Sequence, residues 1–195
     1  MRRPASASSA GRAGAAARRN RVRIIAGKWR SRLVKFPPAI ALRPTPDRVR
    51  ETLFNWLGQR LDGLACLDLF AGSGALGFEA LSRGAARVVM VERDRAVARQ
   101  LRDSARDLDA RADVIESDAL AWLARTPERF DIAFVDPPFA ADLAVRALAL
   151  LPRCLREGAR VYVESGTRLD PGPAWRLLRE DRAGAVRYAL YEFRP

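Results

Sequence analysis

A tetrapeptide, Asp136-Pro137-Pro138-Phe139, follows an apolar segment at residues 130–135 that predicts a buried strand. Two adjacent prolines cannot donate ladder hydrogen bonds and hold the chain extended, so the tetrapeptide at least ends that strand. We interpret it further as an amine site. The Asp136 carboxylate and the Pro137 carbonyl would accept the two hydrogens of an exocyclic amine, while Phe139 stacks on the attached base. Holding both hydrogens draws the nitrogen lone pair out of conjugation, so the tetrapeptide predicts an amine made nucleophilic largely by positioning.

A glycine-rich turn lies upstream, within residues 67–77, where Gly72, Gly74 and Gly77 have the G-x-G-x-x-G spacing. The apolar residues before the turn predict a strand and those after it a helix, which is the local structure in which this spacing binds a nucleotide. Glu92 ends the next predicted strand, in the place of an acceptor for ribose hydroxyls. The pattern therefore predicts an adenosine-type ligand. It does not by itself separate nicotinamide dinucleotides from S-adenosylmethionine.

An acidic residue inside the predicted strand favours the second ligand. Asp68 lies four residues before Gly72, where a dinucleotide-binding strand is more usually apolar, and its carboxylate could receive the ammonium group of a methionine moiety. A sulfonium is a strong electrophile with a neutral leaving group, so an activated amine can accept its methyl group without a metal ion. Besides Glu92, cofactor contacts are expected from Asp68, Phe70, Ala71, Gly72, Ser73 and Gly74.

Both motifs resemble those of the class I S-adenosylmethionine-dependent amino-methyltransferases. A third stretch, residues 43–57, begins Arg-Pro-Thr-Pro-Asp-Arg-Val-Arg-Glu. It resembles a narrower group, the bacterial RsmD-type methyltransferases of small-subunit rRNA, and the similarity extends from about residue 23 to residue 191. Since DNA, RNA and protein amino-methyltransferases share the Asp-Pro-Pro-Phe motif, the RNA assignment depends on the third stretch.

This resemblance implies a substrate and further site residues. The implied reaction is transfer of a methyl group from S-adenosylmethionine to N2 of a specific guanine in 16S rRNA, within the assembling or assembled 30S subunit. Asp118 would accept a hydrogen bond from the adenine amino group, although it also suits an ordinary helix N-cap. Arg93 and Ala119 are assigned to the same cofactor site. The target base must leave its stack, so a loop nucleotide is expected.

Positive charge is concentrated at the N-terminus. Residues 1–46 contain twelve Arg and Lys residues and no Asp or Glu, so they account for the whole formal net charge of +12. A basic segment beside a neutral body indicates binding to a polyanion, with nucleic acid as the expected partner. Residues 1–20 are mostly Ala, Ser, Gly and Arg and are predicted to be disordered, although their composition also resembles an organellar transit peptide.

The next segment, residues 21–42, is predicted to form a basic β-hairpin arm with Gly27 near its turn. Apolar residues alternate there with Arg and Lys, which predicts one apolar and one basic face. Trp29 could either pack against the body or stack on a base. RNA contacts are expected from Arg21, Arg23, Lys28, Trp29, Arg30, Arg32, Arg43 and Arg48.

Missing and rare residue types narrow the chemistry. The chain has no histidine, which excludes a Ser-His-Asp triad, a Cys-His pair and a His-ligated metal. Its two cysteines, Cys66 and Cys154, predict neither a disulfide framework nor a metal site. No apolar run reaches the length of a membrane span and no secretory signal follows the start. We therefore expect a cytoplasmic protein with no metal and no membrane partner, and we separately expect it to be a monomer.

Strands and helices alternate along the chain, which predicts an α/β fold with a doubly wound, mostly parallel sheet and a C-terminal antiparallel hairpin. The resembled fold is Rossmann-like, with seven strands of which the last is inserted antiparallel. Its ligand crevice is expected beyond the carboxyl ends of the strands. The predicted units are a disordered basic tail (1–20), the β-hairpin arm (21–42) and a methyltransferase domain (43–195).

Three other functions remain open at this level. A DNA methyltransferase acting on adenine N6 or cytosine N4 would share the chemistry but would normally need extra sequence to read a duplex. A protein glutamine methyltransferase also fits the Asp-Pro-Pro-Phe motif, yet leaves the basic N-terminus unexplained. The third is an RNA-binding assembly factor with a vestigial cofactor site.

Overall fold

The computed structural model describes residues 20–37, 45–138 and 141–195. The predicted disordered tail, up to residue 19, lies outside these ranges, and so do two expected site residues, Arg43 and Phe139. The division of the chain into tail, arm and domain stays a prediction.

The N-terminal hairpin is confirmed, with strands of only three residues: β1 (Arg21–Arg23) pairs antiparallel with β2 (Leu33–Lys35). The residues between the strands dock on the body instead of extending the ladder, since the backbone N–H groups of Lys28 and Trp29 donate to Ser82. Gly27 has φ +80°, and a Cβ there would lie 1.8 Å from the Ser82 carbonyl oxygen, so this turn requires glycine. The apolar face joins the core through Val22, Ile24, Trp29, Val34 and Phe36.

The first helix, α1 (Asp47–Leu57), follows a run of undescribed residues and packs its apolar face into the same core. The sequence predicts Thr45 as the N-cap of this helix and Pro46 as its first helical residue, and this prediction is wrong. Pro46 occupies the cap position and makes no side-chain cap bond. The Thr45 hydroxyl instead donates to Asp136, which lies 91 residues away in sequence.

The rest of the chain alternates between strands and helices, as predicted. The elements are β3 (Ala65–Asp68), α2 (Ala75–Ser82), β4 (Arg87–Glu92), α3 (Arg95–Leu108), β5 (Ala112–Glu116), α4 (Ala119–Leu123), β6 (Phe130–Val135), α5 (Ala141–Leu150), a 3-10 turn (Leu151–Cys154), β7 (Leu155–Ser165), β8 (Trp175–Ala183) and β9 (Val186–Phe193).

Seven of these strands form one sheet in the order β5-β4-β3-β6-β7-β9-β8. The neighbours from β5 to β7 are parallel, and β9 is inserted antiparallel between β7 and β8. Strand order reverses between β3 and β6, which is the switch point where ligands bind in open α/β sheets. The predicted Rossmann-like, doubly wound fold is thereby confirmed.

Each face of the sheet has its own apolar core. The hairpin, α1, α2 and α3 cover one face, and α4, α5 and the 3-10 turn cover the other. Both cysteines, Cys66 and Cys154, are buried and free. No helix in the described ranges is both long and apolar enough to cross a membrane.

A buried charge cluster fixes the hairpin to the helices beneath it. Glu79 on α2 is fully buried, and its two oxygens accept hydrogen bonds from the N–H groups of Ile25 (2.7 Å) and Ala26 (3.0 Å) in the hairpin. The Arg83 side chain donates to Glu79 over 2.7 Å, and one Arg50 nitrogen lies 3.7 Å away. A carboxylate thus replaces ladder bonds for two hairpin residues.

The Arg50 side chain completes this connection and is itself fully buried. It donates to the carbonyl oxygens of Arg23 on β1 and of Thr45 before α1, and it pairs with Asp47 over 2.6 Å. Hairpin, helix start and α2 therefore share one guanidinium. In the run that resembles the RsmD group, Arg50 thus points inward and serves the fold.

Candidate active site

A cavity of about 730 Å³ opens at the carboxyl ends of the strands, within the size range of ligand pockets. One part follows β3, β4 and β5, and the other lies beside β6, β7 and the turn between β8 and β9. The first part includes nine of the ten predicted cofactor residues: Asp68, Phe70, Ala71, Gly72, Ser73, Glu92, Arg93, Asp118 and Ala119. The second includes Thr45, Asp136, Pro137, Pro138, Glu164 and Val186.

The glycine turn shapes the cofactor part. Gly74 is the one predicted cofactor residue that does not line the cavity. It is the N-cap of α2 with φ +75°, and a Cβ there would lie 2.6 Å from the Phe78 ring. At Gly77 a Cβ would lie 2.5 Å from Met90 on β4. Gly77 therefore allows α2 to pack closely on the sheet, and Gly74 allows the tight turn that begins the helix.

Asp68 is buried beneath the turn, and its Oδ2 accepts a 2.9 Å hydrogen bond from the Gly77 N–H. Burial raises the pKa of Asp68 to about 7, the Gly77 bond opposes this rise, and the charges of Asp136 and Glu92 add to it. A cation bound beside this carboxylate would offset the cost of its ionisation.

Glu92 has a structural task that the sequence did not predict. One carboxylate oxygen accepts the Gly72 N–H at 2.9 Å and the other accepts the Asp94 N–H at 2.8 Å. It therefore holds the glycine turn and the start of α3 in register. Each carboxylate oxygen has two lone pairs, so capacity remains for ribose hydroxyls.

Asp118 is an N-cap, since its Oδ1 accepts the Ala121 N–H at 2.9 Å at the start of α4. It also lines the cavity. The cap leaves the second carboxylate oxygen available, and the adenine contact stays a prediction.

The chemistry of these side chains fits S-adenosylmethionine. Asp68, Glu92 and Asp118 are all acceptors, and they suit a ligand that brings an ammonium group, hydroxyls and an amino group. A pyrophosphate would bring negative charge to the same carboxylates. Among the described residues there is no group of three or more His, Cys, Asp or Glu side chains placed to hold a metal ion.

Asp136 lies where the two parts of the cavity meet, after β6. Its Oδ2 accepts the Thr45 hydroxyl at 3.2 Å. Burial raises the pKa of Asp136 to about 6, and the Thr45 bond acts in the opposite direction. Pro137 and Pro138 line the same wall.

Sequence analysis missed Glu164, which is a second carboxyl beside Asp136 and the last residue but one of β7. The buried Tyr162 hydroxyl donates to its Oε1 over 2.7 Å. Burial raises the pKa of Glu164 to about 7, with the Asp136 charge as the next cause, while bonds from Tyr162 and Thr45 lower it. A polar residue at the carboxyl end of a predicted parallel strand was the available signal.

The expected RNA contacts divide into exposed and buried side chains. Trp29 is only 9% exposed and packs in the core. Of the two roles considered for this side chain, the structure therefore shows packing against the body. The Lys28 ammonium lies 5.1 Å from the centroid of its ring. Arg23 is exposed and pairs with Asp47 at 3.0 Å. The other exposed members are Arg21, Lys28, Arg30, Arg32 and Arg48.

The raised pKa of Asp68 predicts a pH dependence of stability. In the unfolded chain this carboxyl titrates near 3.8, so between about pH 4 and pH 7 the folded protein binds its proton more tightly. This tighter proton binding stabilises the folded state. The stabilisation is fully present below pH 3.8 and is lost as the pH rises through 7.

Acidification from about pH 7.5 to about pH 5.5 should therefore raise the melting temperature of the ligand-free wild type relative to that of Asp68→Asn, which keeps an acceptor for the Gly77 N–H. Differential scanning fluorimetry at several pH values measures both. Parallel curves for the two proteins would contradict the assigned pKa.

The sheet order, the inserted antiparallel strand and the cavity at the switch point define a Rossmann-like class I methyltransferase fold. Residues 22–192 match the family model described as Conserved hypothetical protein 95. Over 177 residues the chain is 48% identical to the Ribosomal RNA small subunit methyltransferase D of Escherichia coli K12, covering 88% of this chain and 89% of that protein. The chain belongs to this RsmD family of methyltransferases.

Solved structures agree with this placement. The putative methyltransferase yhhF from Escherichia coli has a TM-score of 0.83 and 46% identity, over 89% of this chain and 98% of that chain. The Thermus thermophilus 16S rRNA N2 methyltransferase RsmC, in complex with AdoMet and guanosine, has a TM-score of 0.68 and 26% identity, over 90% of this chain and 50% of that chain.

Proposed function

We propose that this protein transfers a methyl group from S-adenosylmethionine to N2 of a specific guanine in 16S rRNA, within the assembling or assembled 30S subunit. The names of the relatives support rRNA as the substrate, and the RsmC complex supports guanine and the cofactor. The observation that carries the proposal is the contact between two motifs. Thr45, from the run that resembles the RsmD group, donates to Asp136 of the amine-binding motif inside the same cavity.

The cofactor part of the cavity would hold S-adenosylmethionine through its carboxylates. Asp68 would receive the ammonium group, Glu92 the ribose hydroxyls and Asp118 the adenine amino group. When bound, this cofactor supplies an electrophilic methyl group on a sulfonium.

Asp136 would act on the guanine amine. Its carboxylate and the Pro137 carbonyl accept the two N2 hydrogens and orient the nitrogen lone pair. N2 gains a methyl group and loses one proton in the net reaction. Asp136, with a pKa of about 6, is positioned to take that proton and release it to solvent.

The proposal is tested with labelled S-adenosylmethionine and four substrates: unmethylated 30S subunits, protein-free 16S rRNA, free guanosine and plasmid DNA. Nucleoside digestion and mass spectrometry identify the product. We expect N2-methylguanosine from the particle, and none from free guanosine. Label only in DNA would favour a DNA methyltransferase, and no label despite cofactor binding would point to a protein target or an assembly role.

We further propose that the protein acts as a monomer in the cytoplasm, where small subunits assemble. Recognition of rRNA would depend on the exposed basic face of the hairpin. Counterion release then makes affinity depend on salt in proportion to the number of phosphate contacts.

Removing two hairpin arginines should reduce that dependence. In Arg21→Ala with Arg30→Ala, the slope of log Kd against log salt for 16S rRNA should fall by about 1.4 to 1.8, because each lost phosphate contact contributes about 0.7 to 0.9. Filter binding over a salt series measures the slope. The control pair Arg146→Ala with Arg153→Ala removes the same charge from α5 and the 3-10 turn on the opposite face of the sheet, and should leave the slope unchanged. Equal slopes for the two double variants would show that the hairpin arginines do not contact the rRNA.

A further inference from the structure

Two carboxyl groups stand side by side in the acceptor part of the cavity. β6 and β7 are parallel neighbours in which Phe134 is the register partner of Tyr162. Asp136 comes two residues after Phe134, and Glu164 comes two residues after Tyr162. Because side chains alternate along a strand, both carboxyl groups lie on the same face of the sheet as these two aromatic rings, which is the face covered by α1. Both line the cavity.

Glu164 is held in place by its own strand. The Tyr162 hydroxyl, on a fully buried ring, donates to Oε1 over 2.7 Å. The Thr45 hydroxyl donates to Asp136 over 3.2 Å and also lowers the pKa of Glu164. Glu164 is thus a fixed acceptor one strand further from the cofactor part than Asp136.

The three amines found on nucleic acid bases differ in what stands beside them. In adenine, the ring nitrogen next to the amine on the Watson–Crick edge is an acceptor, and the same is true of cytosine. In guanine the corresponding N1 carries a hydrogen. A carboxylate beside the amine-binding Asp136 therefore gains a hydrogen bond with guanine, and meets a lone pair with adenine or cytosine.

We propose that Glu164 is the residue that selects guanine, its carboxylate accepting the N1–H while Asp136 accepts one N2–H. This inference rests on the proposed function and names the feature of the substrate that the site reads. The two adjacent carboxyl groups of the cavity would then match the two adjacent hydrogen-bond donors of guanine, N1–H and N2–H. The same pairing rejects the other two amines.

A substituted base tests this directly. 2-Aminopurine keeps the 2-amino group but has a lone pair at N1 in place of the hydrogen. The target guanine is first located by mass spectrometry of the methylated oligonucleotides that a ribonuclease releases from the rRNA. It is then replaced by 2-aminopurine in 16S rRNA by splinted ligation, and the rRNA is reconstituted into subunits. Methylation of both particles is compared for the wild type and for Glu164→Gln, whose amide can donate to N1.

With guanine, Glu164→Gln should lower kcat/KM by about 10- to 150-fold, the range of a hydrogen bond to a charged group. With 2-aminopurine the wild type should be slower by a similar factor, and the variant should be the faster of the two proteins. A merely structural role for Glu164 would lower both rates equally. The control Glu157→Gln, exposed on the distant part of β7, should behave as the wild type with both particles.

A binding measurement gives an independent readout. In the presence of S-adenosylhomocysteine, the fluorescence of 2-aminopurine reports its removal from the stack, and Glu164→Gln should bind the substituted particle more tightly than the wild type does. The inference is overturned if the ratio of the methylation rate on 2-aminopurine particles to that on guanine particles is the same for the wild type and for Glu164→Gln. If Glu164→Gln does not fold, equal wild-type rates on the two particles overturn it alone. Failure of the wild type to methylate guanine in any particle is a failure of the proposed function instead.

Discussion

Replacing Asp136 with alanine is expected to lower kcat on 30S subunits by about 10²- to 10⁴-fold, the range lost with a positioned acid–base group. The carboxylate is buried where the two parts of the cavity meet, and Thr45 fixes its orientation. Without it, the amine would lose one of the two proposed acceptors that aim its lone pair, and the proton released from N2 would lose its proposed base. Steady-state kinetics with labelled S-adenosylmethionine measure the effect.

Cofactor affinity separates this result from general damage. The Kd for S-adenosylmethionine, measured by calorimetry, should change little in Asp136→Ala, because the proposed cofactor contacts lie on β3, β4 and α4. Glu92→Ala should show the opposite pattern, with weaker cofactor binding as the main defect, since it loses the proposed ribose acceptor and the bonds that hold the glycine turn. Asp142→Ala, an exposed carboxylate at the start of α5, is the control.

Reversal of the two phenotypes would contradict both assignments. The Asp136 variant also separates an enzyme from an assembly factor. If Asp136→Ala abolishes methylation yet restores normal subunit assembly in cells that lack the wild-type protein, the cofactor site is vestigial to the cellular role.

The largest effect on stability is expected at Glu79. Glu79→Ala should lower the free energy of unfolding by about 3 to 5 kcal/mol, as does removal of one partner from a buried ion pair. The side chain is fully buried, and so is that of Arg50, while Arg83 is 4% exposed. Its loss leaves the Arg83 guanidinium in the core without its carboxylate, removes a neighbouring negative charge from Arg50, and leaves two hairpin N–H groups without an acceptor.

Denaturant unfolding measures the global effect, and hydrogen exchange locates it. The amides of Ile25 and Ala26 should lose protection before the strands of the large sheet do, because Glu79 is their hydrogen-bond acceptor. Arg60→Ala, which breaks an exposed pair with Asp62, should leave the unfolding curve nearly unchanged. Unchanged protection at Ile25 and Ala26 in the Glu79 variant would show that the hairpin is held by its apolar side chains alone.

The sheet was largely predictable because its strands leave a local signal. Buried parallel strands are short apolar runs, and β6 was predicted with the bounds that the structure has. The same reasoning located Asp136 and Glu92, since each follows or ends such a run. Glu164 satisfies the same rule at the end of β7, and could have been found by applying it to every parallel strand.

Other features depend on contacts that no local pattern records. Thr45 has the sequence of a helix cap, but a carboxylate 91 residues away takes its hydroxyl instead. The hairpin strands are shorter than their alternation predicts because Ser82 and Glu79 of α2 bind the backbone between them. Long-range partners of this kind compete with local propensity and are visible only once the chain is folded.

The RsmD-like run shows the same difference. By resemblance it pointed to RNA, and of its charged side chains Arg48 does face outward. Arg50 is buried against Glu79, and Asp47 joins Arg23 to Arg50. Much of this signature therefore records how the hairpin is joined to the body.

That joint limits how the arm can be exchanged between relatives. A graft that replaced the hairpin alone would have to present two backbone amides to Glu79, a carbonyl to Arg50 and a glycine against Ser82, whatever RNA its outer face was meant to bind. Deleting the arm would strip five apolar side chains from the core as well. New RNA specificity in this protein should therefore arise by substitution on the outer face of the hairpin, with its inner face inherited unchanged.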